Sequence, residues 1–226
     1  MAIAGALEKR DGNTAVSRAV IYRILAQCFS YPNLELLDSF TSGKINTYLE
    51  NWRALGLDAS DSIVRVIAFL ARFTQPEIAL EELEKDYTRL FINASPKMLA
   101  PPYGSVYLDK HYRVWGQTTS EVVKLYQTAG LGMAETFYDL PDHIVAELEF
   151  ASYLIAEQQK CRGNTATSTQ NLAIIEREIL TEHLFKWAPA FFSLVIDNSR
   201  MEFYREVASL AKEFINWDSK RVTSSV

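Results

Sequence analysis

Apolar residues recur every three or four positions along almost this whole chain, and that spacing admits helices and little else. Val16, Val20, Ile24, Leu25, Cys28 and Phe29 share one helical face, and Tyr31-Pro32 ends it because a residue before proline is pushed out of the helical region. Shorter helical patterns follow at Leu34–Phe40, stopped near Gly43, and at Ile45–Leu55, closed by Gly56. Ser60 or Asp61 is placed to cap a helix carrying Ile63, Val66, Ile67, Leu70 and Phe73. Pro76 suits the first turn of the next, which carries Leu80, Leu83, Tyr87, Leu90 and Phe91. The period resumes over Thr119–Gly130, and Pro141 opens a longer helix with Ile144, Leu148, Ala151, Leu154 and Ile155. Three more are predicted over Leu172–Leu184, Ala188–Ile196 (started by Pro189) and Glu202–Trp217. No segment alternates as a strand would, and no internal repeat is visible. The expected architecture is all-α: one compact bundle of about nine or ten helices spanning 14–218. Residues 1–13 are expected to be flexible, the polar stretch Arg162–Thr169 to be a loop and 219–226 to be a disordered tail.

One segment breaks the pattern. Between Ile92 and Gln117 stand Pro96, Pro101, Pro102, Gly104 and Gly116, interspersed with Tyr103, Tyr107, Tyr112 and Trp115. Linkers are rarely so aromatic, so this reads as a long ordered loop, and such loops in compact domains are often functional.

Composition narrows the class. Hydrophobic residues are 48% and charged residues 23% of the 226, an ordinary globular balance. The longest apolar runs, such as Ile63–Phe73, carry charges and are too short to span a bilayer, so no stable membrane insertion is expected. The first dozen residues show no secretory signal, and Cys28 and Cys161 lie far apart; both point to a reduced, cytoplasmic protein. A net charge of −5 argues against a nucleic-acid partner, because phosphate binding needs clustered Lys and Arg.

The motifs of catalysis are missing. There is no phosphate loop, no dinucleotide-binding glycine pattern, no HExxH and no GxSxG. His111, His143 and His183 are not spaced as a metal triad; His143 and Glu147 stand one turn apart but lack a third ligand. A cofactor-free protein that is not an enzyme is the expectation.

Three stretches stand out: Glu84-Lys85-Asp86-Tyr87-Thr88-Arg89-Leu90-Phe91, then Pro101-Pro102-Tyr103-Gly104-Ser105-Val106-Tyr107-Leu108-Asp109, then Pro141-Asp142-His143-Ile144 with Glu147-Leu148 and Phe150. In order and content they resemble the TorD/DmsD/NarJ-type chaperones, the redox enzyme maturation proteins. That family's pattern is YxxLF, then PPxxSVY or PPWxSVW, then DHxxxEL. Trp115-Gly116, the stretch from His183-Leu184 to Pro189, and Phe203-Tyr204 extend the resemblance over roughly 15–217, closest to the DmsD/TorD branch. It departs from the DmsD pattern where Tyr103 and Tyr107 replace tryptophans.

The resemblance implies an all-helical chaperone without cofactor. Such a protein binds the twin-arginine leader, and in some cases the mature part, of a molybdenum-cofactor oxidoreductase subunit until that cofactor is inserted. It acts in anaerobic respiration, as monomer or dimer. A NarJ-like assembly factor for an unexported reductase and a nucleotide-binding switch are the alternatives. The residues it singles out for the leader are Asp142 and His143, with Glu147 one turn on, the pair Leu90 and Phe91, and Tyr103, Ser105 and Tyr107 of the loop. Read from the residues alone, Asp142 is a helix-terminus carboxylate, Leu90 and Phe91 are core, and Glu81, Glu82, Glu84 and Asp86 form a solvated acidic face.

Overall fold

A computed structural model describes residues 2–42, 44–93, 98–110, 115–133, 138–161 and 166–224. Gly43, Pro96, His111, Tyr112 and the 162–165 part of the polar stretch, all singled out above, lie outside the described residues. Among the described residues eleven α-helices follow one another: α1 (Ala2–Phe29), α2 (Leu34–Thr41), α3 (Lys44–Ala54), α4 (Ser60–Leu70), α5 (Pro76–Tyr87), α6 (Gly104–Leu108), α7 (Gln117–Thr128), α8 (Ile144–Lys160), α9 (Ala166–Glu178), α10 (Phe185–Asn198) and α11 (Glu202–Ser224). Two π-helical stretches occur among the described residues: Thr88–Ile92 extends α5, and Ile179–Leu184 joins α9 to α10. No named strand occurs among the described residues; the one β-bridge pairs Tyr103 with His143.

The local signals work as the residues require. Asn33 caps α2, its side chain accepting the Leu36 N–H at 2.8 Å, so the chain turns sharply after Pro32. Gly56 takes φ 75°, which only glycine adopts cheaply, and there the chain folds back after α3 with Leu57 N–H donating to the Trp52 carbonyl at 3.0 Å. Pro76 occupies the first turn of α5.

The long helix α1 packs along α8 and α3, while α10 and α4 flank α11. At their centre lies an aromatic cluster. Phe29 meets Phe91, Phe191 and Phe192 at centroid distances of 6.4, 5.6 and 5.2 Å, and Phe91 also meets Tyr87 and Tyr204. Leu90 and Phe91 are therefore buried in the core, as their spacing required. A buried ion pair ties the two ends of the fold together. Arg18 of α1 grips Asp218 of α11 with two hydrogen bonds of 2.6 and 2.8 Å and donates to Glu176 of α9 at 2.8 Å.

Several boundaries differ from the expectations. Helix α1 starts at Ala2, well before Val16. Helix α11 continues to Ser224 through most of the expected tail, because Val222 is buried and its carbonyl accepts from Arg177 at 3.2 Å. The loop expected over Arg162–Thr169 is helical from Ala166. Neither Ser60 nor Asp61 caps α4; Ala59 holds that position, and the Asp58 carboxylate accepts the Ser60 N–H at 2.9 Å. Pro189 starts nothing: it sits inside α10, just past the π-helical stretch that already disturbs the hydrogen-bond register there. Pro141 does not open α8, which begins at Ile144 with His143 as its cap. Asp86 does not belong to a solvated face. It is buried and accepts from Ser199 Oγ and from the N–H groups of Arg200 and Met201, pinning the α10–α11 turn.

The run Thr169–Asn198 is long and apolar enough to cross a membrane by length and composition alone. Half of its most apolar 18-residue window is buried in the protein, and Trp187, Phe191 and Phe192 lie in the core.

Candidate functional site

The proline-tyrosine segment does not remain a loop throughout. Gly104–Leu108 coils into the short helix α6, whose own cap residue, Tyr103, supplies no side-chain acceptor. That acceptor arrives from 37 positions away: Asp142 Oδ2 takes the Ser105 N–H at 2.7 Å. The Asp142 backbone carbonyl takes the Gly104 N–H at 2.9 Å, and Pro102 returns a carbonyl to the Ile144 N–H at 2.8 Å. The other carboxylate oxygen, Oδ1, accepts from Thr119 Oγ1 of α7 at 3.0 Å. Tyr126 of α7 donates to the Pro141 carbonyl at 2.7 Å. Asp142 is thus fully buried at the junction of α6, α7 and α8. Hydrogen bonds to a charged acceptor are worth about 1.5–3 kcal/mol each, so this one side chain does much to hold the segment down.

Glu147, one turn into α8, points beneath α6. Its Oε2 accepts the indole N–H of Trp187 at 3.1 Å, and among the described residues Oε1 has no hydrogen-bond partner. It is completely buried, with no cation beside it among the described residues. Burial holds its carboxyl well above the usual carboxylate range, and neighbouring Asp142 pushes the same way. Gly104 makes the close approach possible: a Cβ there would sit 3.0 Å from Trp187 Nε1 and 3.1 Å from Glu147 Oε1. Tyr107 stacks on Trp187 at 5.4 Å and donates its hydroxyl to the Pro101 carbonyl at 2.9 Å, closing the segment on itself. Ser105 is fully buried. Further along, a Cβ on Gly116 would overlap the Asp109 carboxylate, so a side chain there would displace the Asp109 contact with Thr118 Oγ1.

His143 caps α8: Nδ1 accepts the Val145 N–H at 3.2 Å, which leaves the ring proton on Nε2. Nε2 lies 3.6 Å from Asp139 Oδ2. Burial lowers the imidazole pKa, opposed by the charges of Asp139 and Asp142.

Around this buried frame lies a surface that no motif announced. Asp139, its side chain 40% exposed, lies beside Tyr103, whose hydroxyl pKa is raised by burial and then by this carboxylate. Tyr103 in turn meets His143 edge-on at 5.4 Å. Tyr31, 52% exposed, meets Tyr87 edge-on at 5.3 Å, and Tyr138 stands almost wholly in solvent. An open carboxylate among half-open phenol faces can take a guanidinium: the carboxylate pairs with it, and the rings receive its flat face.

The structure thus brings Asp142, His143, Glu147, Tyr103, Ser105 and Tyr107 together at one junction, while Leu90 and Phe91 lie in the aromatic core. Sequence reasoning passed over Asp139, Tyr31 and Trp187; Asp139 stands only three residues before Asp142 and was the one with a readable signal. No group of three or more His, Cys, Asp or Glu side chains is placed to hold a metal among the described residues.

The model of the family described as nitrate reductase delta subunit matches residues 58–193, more than half the chain and all of this junction. The chain belongs to that family. Curated members similar to it include the chaperone protein TorD of Aliivibrio salmonicida, 28% identical over 90% of this chain and 93% of that protein. The perchlorate reductase assembly chaperone protein of Dechloromonas aromatica is 24% identical over 93% and 91%. The Tat proofreading chaperone DmsD of Salmonella typhi is 25% identical over 86% and 85%. A crystal structure named as a redox enzyme maturation protein of Archaeoglobus fulgidus superposes with a TM-score of 0.50 at 22% identity, covering 88% of this chain and 93% of that one, which shows a shared all-helical fold. With such relatives the delta subunit family member described here is a chaperone and not a catalyst.

Proposed function

We propose that this protein is a cytoplasmic chaperone that binds the twin-arginine leader of a molybdoenzyme subunit and holds it until the cofactor is in place. The observation that carries the reading is the partly exposed group of Asp139, Tyr103 and Tyr31, backed by the buried rings of His143 and Tyr87. Paired arginines need a fixed carboxylate for charge-assisted bonds and flat aromatic faces for stacking; both are present and both open to solvent. Asp142, Glu147, Ser105 and Tyr107 act from below, holding Tyr103 where the leader meets it. Kinship with a Tat proofreading chaperone and with assembly chaperones of reductases supports the same client chemistry.

The test is calorimetric binding of a synthetic leader peptide to the purified full chain. Asp139→Asn is expected to weaken binding at least tenfold, about 1.4 kcal/mol. The loss should vanish against a peptide whose two arginines are glutamines. Equal affinity of parent and variant for the intact leader overturns the assignment of Asp139.

A further inference from the structure

Away from the Asp139 junction, helices α2, α4 and α5 enclose an open groove of about 570 Å³. Leu37 and Leu70 form part of its floor, and Leu34, Ile67 and Phe73 form its walls. Leu34, at the start of α2, is 45% exposed. The volume lies within the range of sites that enclose a small ligand, roughly 300–1,000 Å³, so it receives a few apolar side chains. Its lining carries two carboxylates, Asp38 and Glu77, and no Lys, Arg or His. Asp38 meets Lys44 at 3.2 Å, but both side chains are well exposed, and such a pair holds little. The matching occupant is an apolar stretch flanked by positive charge.

Position selects which stretch. Tyr31 belongs to the aromatic surface around Asp139, and Leu34 follows three residues later, at most about 11 Å of chain. From Leu34, α2 carries the groove wall for eight residues, about 12 Å. One ligand therefore reaches from the tyrosines into the groove with about 15 residues of helix, or half as many extended. We propose that the α2–α4–α5 groove holds the apolar stretch of the client leader whose paired arginines sit at Asp139. The inference rests on the leader-binding reading and adds the place of the leader's apolar part.

Ile67→Glu puts a charge on the wall, and Leu34→Ser trims it at a half-exposed position where the fold is little disturbed. Each is compared with the parent chain by fluorescence anisotropy against three labelled peptides: the intact leader, one with its apolar stretch replaced by serines, and one with both arginines replaced by glutamines. Both variants are expected to bind the intact and arginine-free peptides at least tenfold and threefold more weakly, respectively for Ile67→Glu and Leu34→Ser. Both should bind the serine peptide within twofold of the parent. Parent-like binding of all three by both variants overturns the groove assignment while the leader reading stands. An equal loss on the serine peptide overturns it too, because the effect is then not on the apolar contact. A parent that binds none of the peptides removes the leader reading and the groove with it. A parent that sediments as a dimer, and becomes a monomer in Leu34→Ser with peptide affinity unchanged, assigns the groove to a second copy instead.

Discussion

Replacing Glu147 with glutamine removes a titrating group from the interior without removing its shape. In the parent, Oε2 accepts from Trp187 at 3.1 Å and no cation among the described residues faces the carboxyl, so burial raises its pKa well above the ordinary value. The unfolded chain titrates near about 4.3. Between that pH and the raised folded value, the folded state holds a proton that the unfolded state has lost. Stability therefore falls as pH rises, by about 1.4 kcal/mol per pH unit across that window. Glutamine keeps an acceptor for the indole and cannot ionise. The difference in unfolding free energy between Glu147→Gln and parent should widen in favour of the variant with that slope above about pH 4.3, then level off once the folded parent ionises. Urea denaturation at four or five pH values between 4.5 and 8.5 measures it. His143 and His183, both with lowered pKa, destabilise at acid pH, but they are present in both proteins and cancel in the difference. Parallel stability curves for the two proteins would refute the assignment of Glu147 as a buried acid without a counter-charge.

Gly104→Ala places a methyl 3.0 Å from Trp187 Nε1 and should cost about 1–3 kcal/mol by lifting α6, seen as a lowered Tm and as faster amide exchange confined to the 101–108 segment. Arg18→Met leaves Asp218 buried without its partner and should cost about 3–5 kcal/mol in chemical denaturation, most of it recovered in the Arg18→Met/Asp218→Leu double variant; additive losses would contradict the pairing. A thiol reagent should modify Cys161 readily in the native protein and Cys28 only in denaturant, because Cys28 is buried and its thiol is pushed up to about 12; two fast-reacting thiols would contradict the packing of α1.

The helical period foretold the class of fold and most of its rods, since a face such as Leu25, Cys28 and Phe29 can be satisfied only by burying it against other helices; Val16, read onto the same face, is instead 51% exposed. Turn chemistry was equally readable wherever it is local: Pro32 after α1, Pro76 in the first turn of α5, Gly56 after α3. The second and third motifs meet at one junction although the chain separates them, while Leu90 and Phe91 of the first lie in the aromatic core. What the sequence left open was the role of each side chain within it. Asp142 looked like a helix-terminus carboxylate open to a ligand, yet it caps a different helix 37 residues earlier and sees no solvent. Asp86 looked like one of a solvated acidic run, yet it binds the turn after α10 from over a hundred residues away. Pro189 carried a helix-start signal that the register of a preceding π-helical stretch overrode. Period and capping act between residues within one turn of each other, so the sequence by itself determined the helices and their apolar faces. Burial and charge pairing act between residues distant along the chain, so only the tertiary structure decided that Asp142 and Glu147 lie beneath the surface while Asp139 and the tyrosines form it.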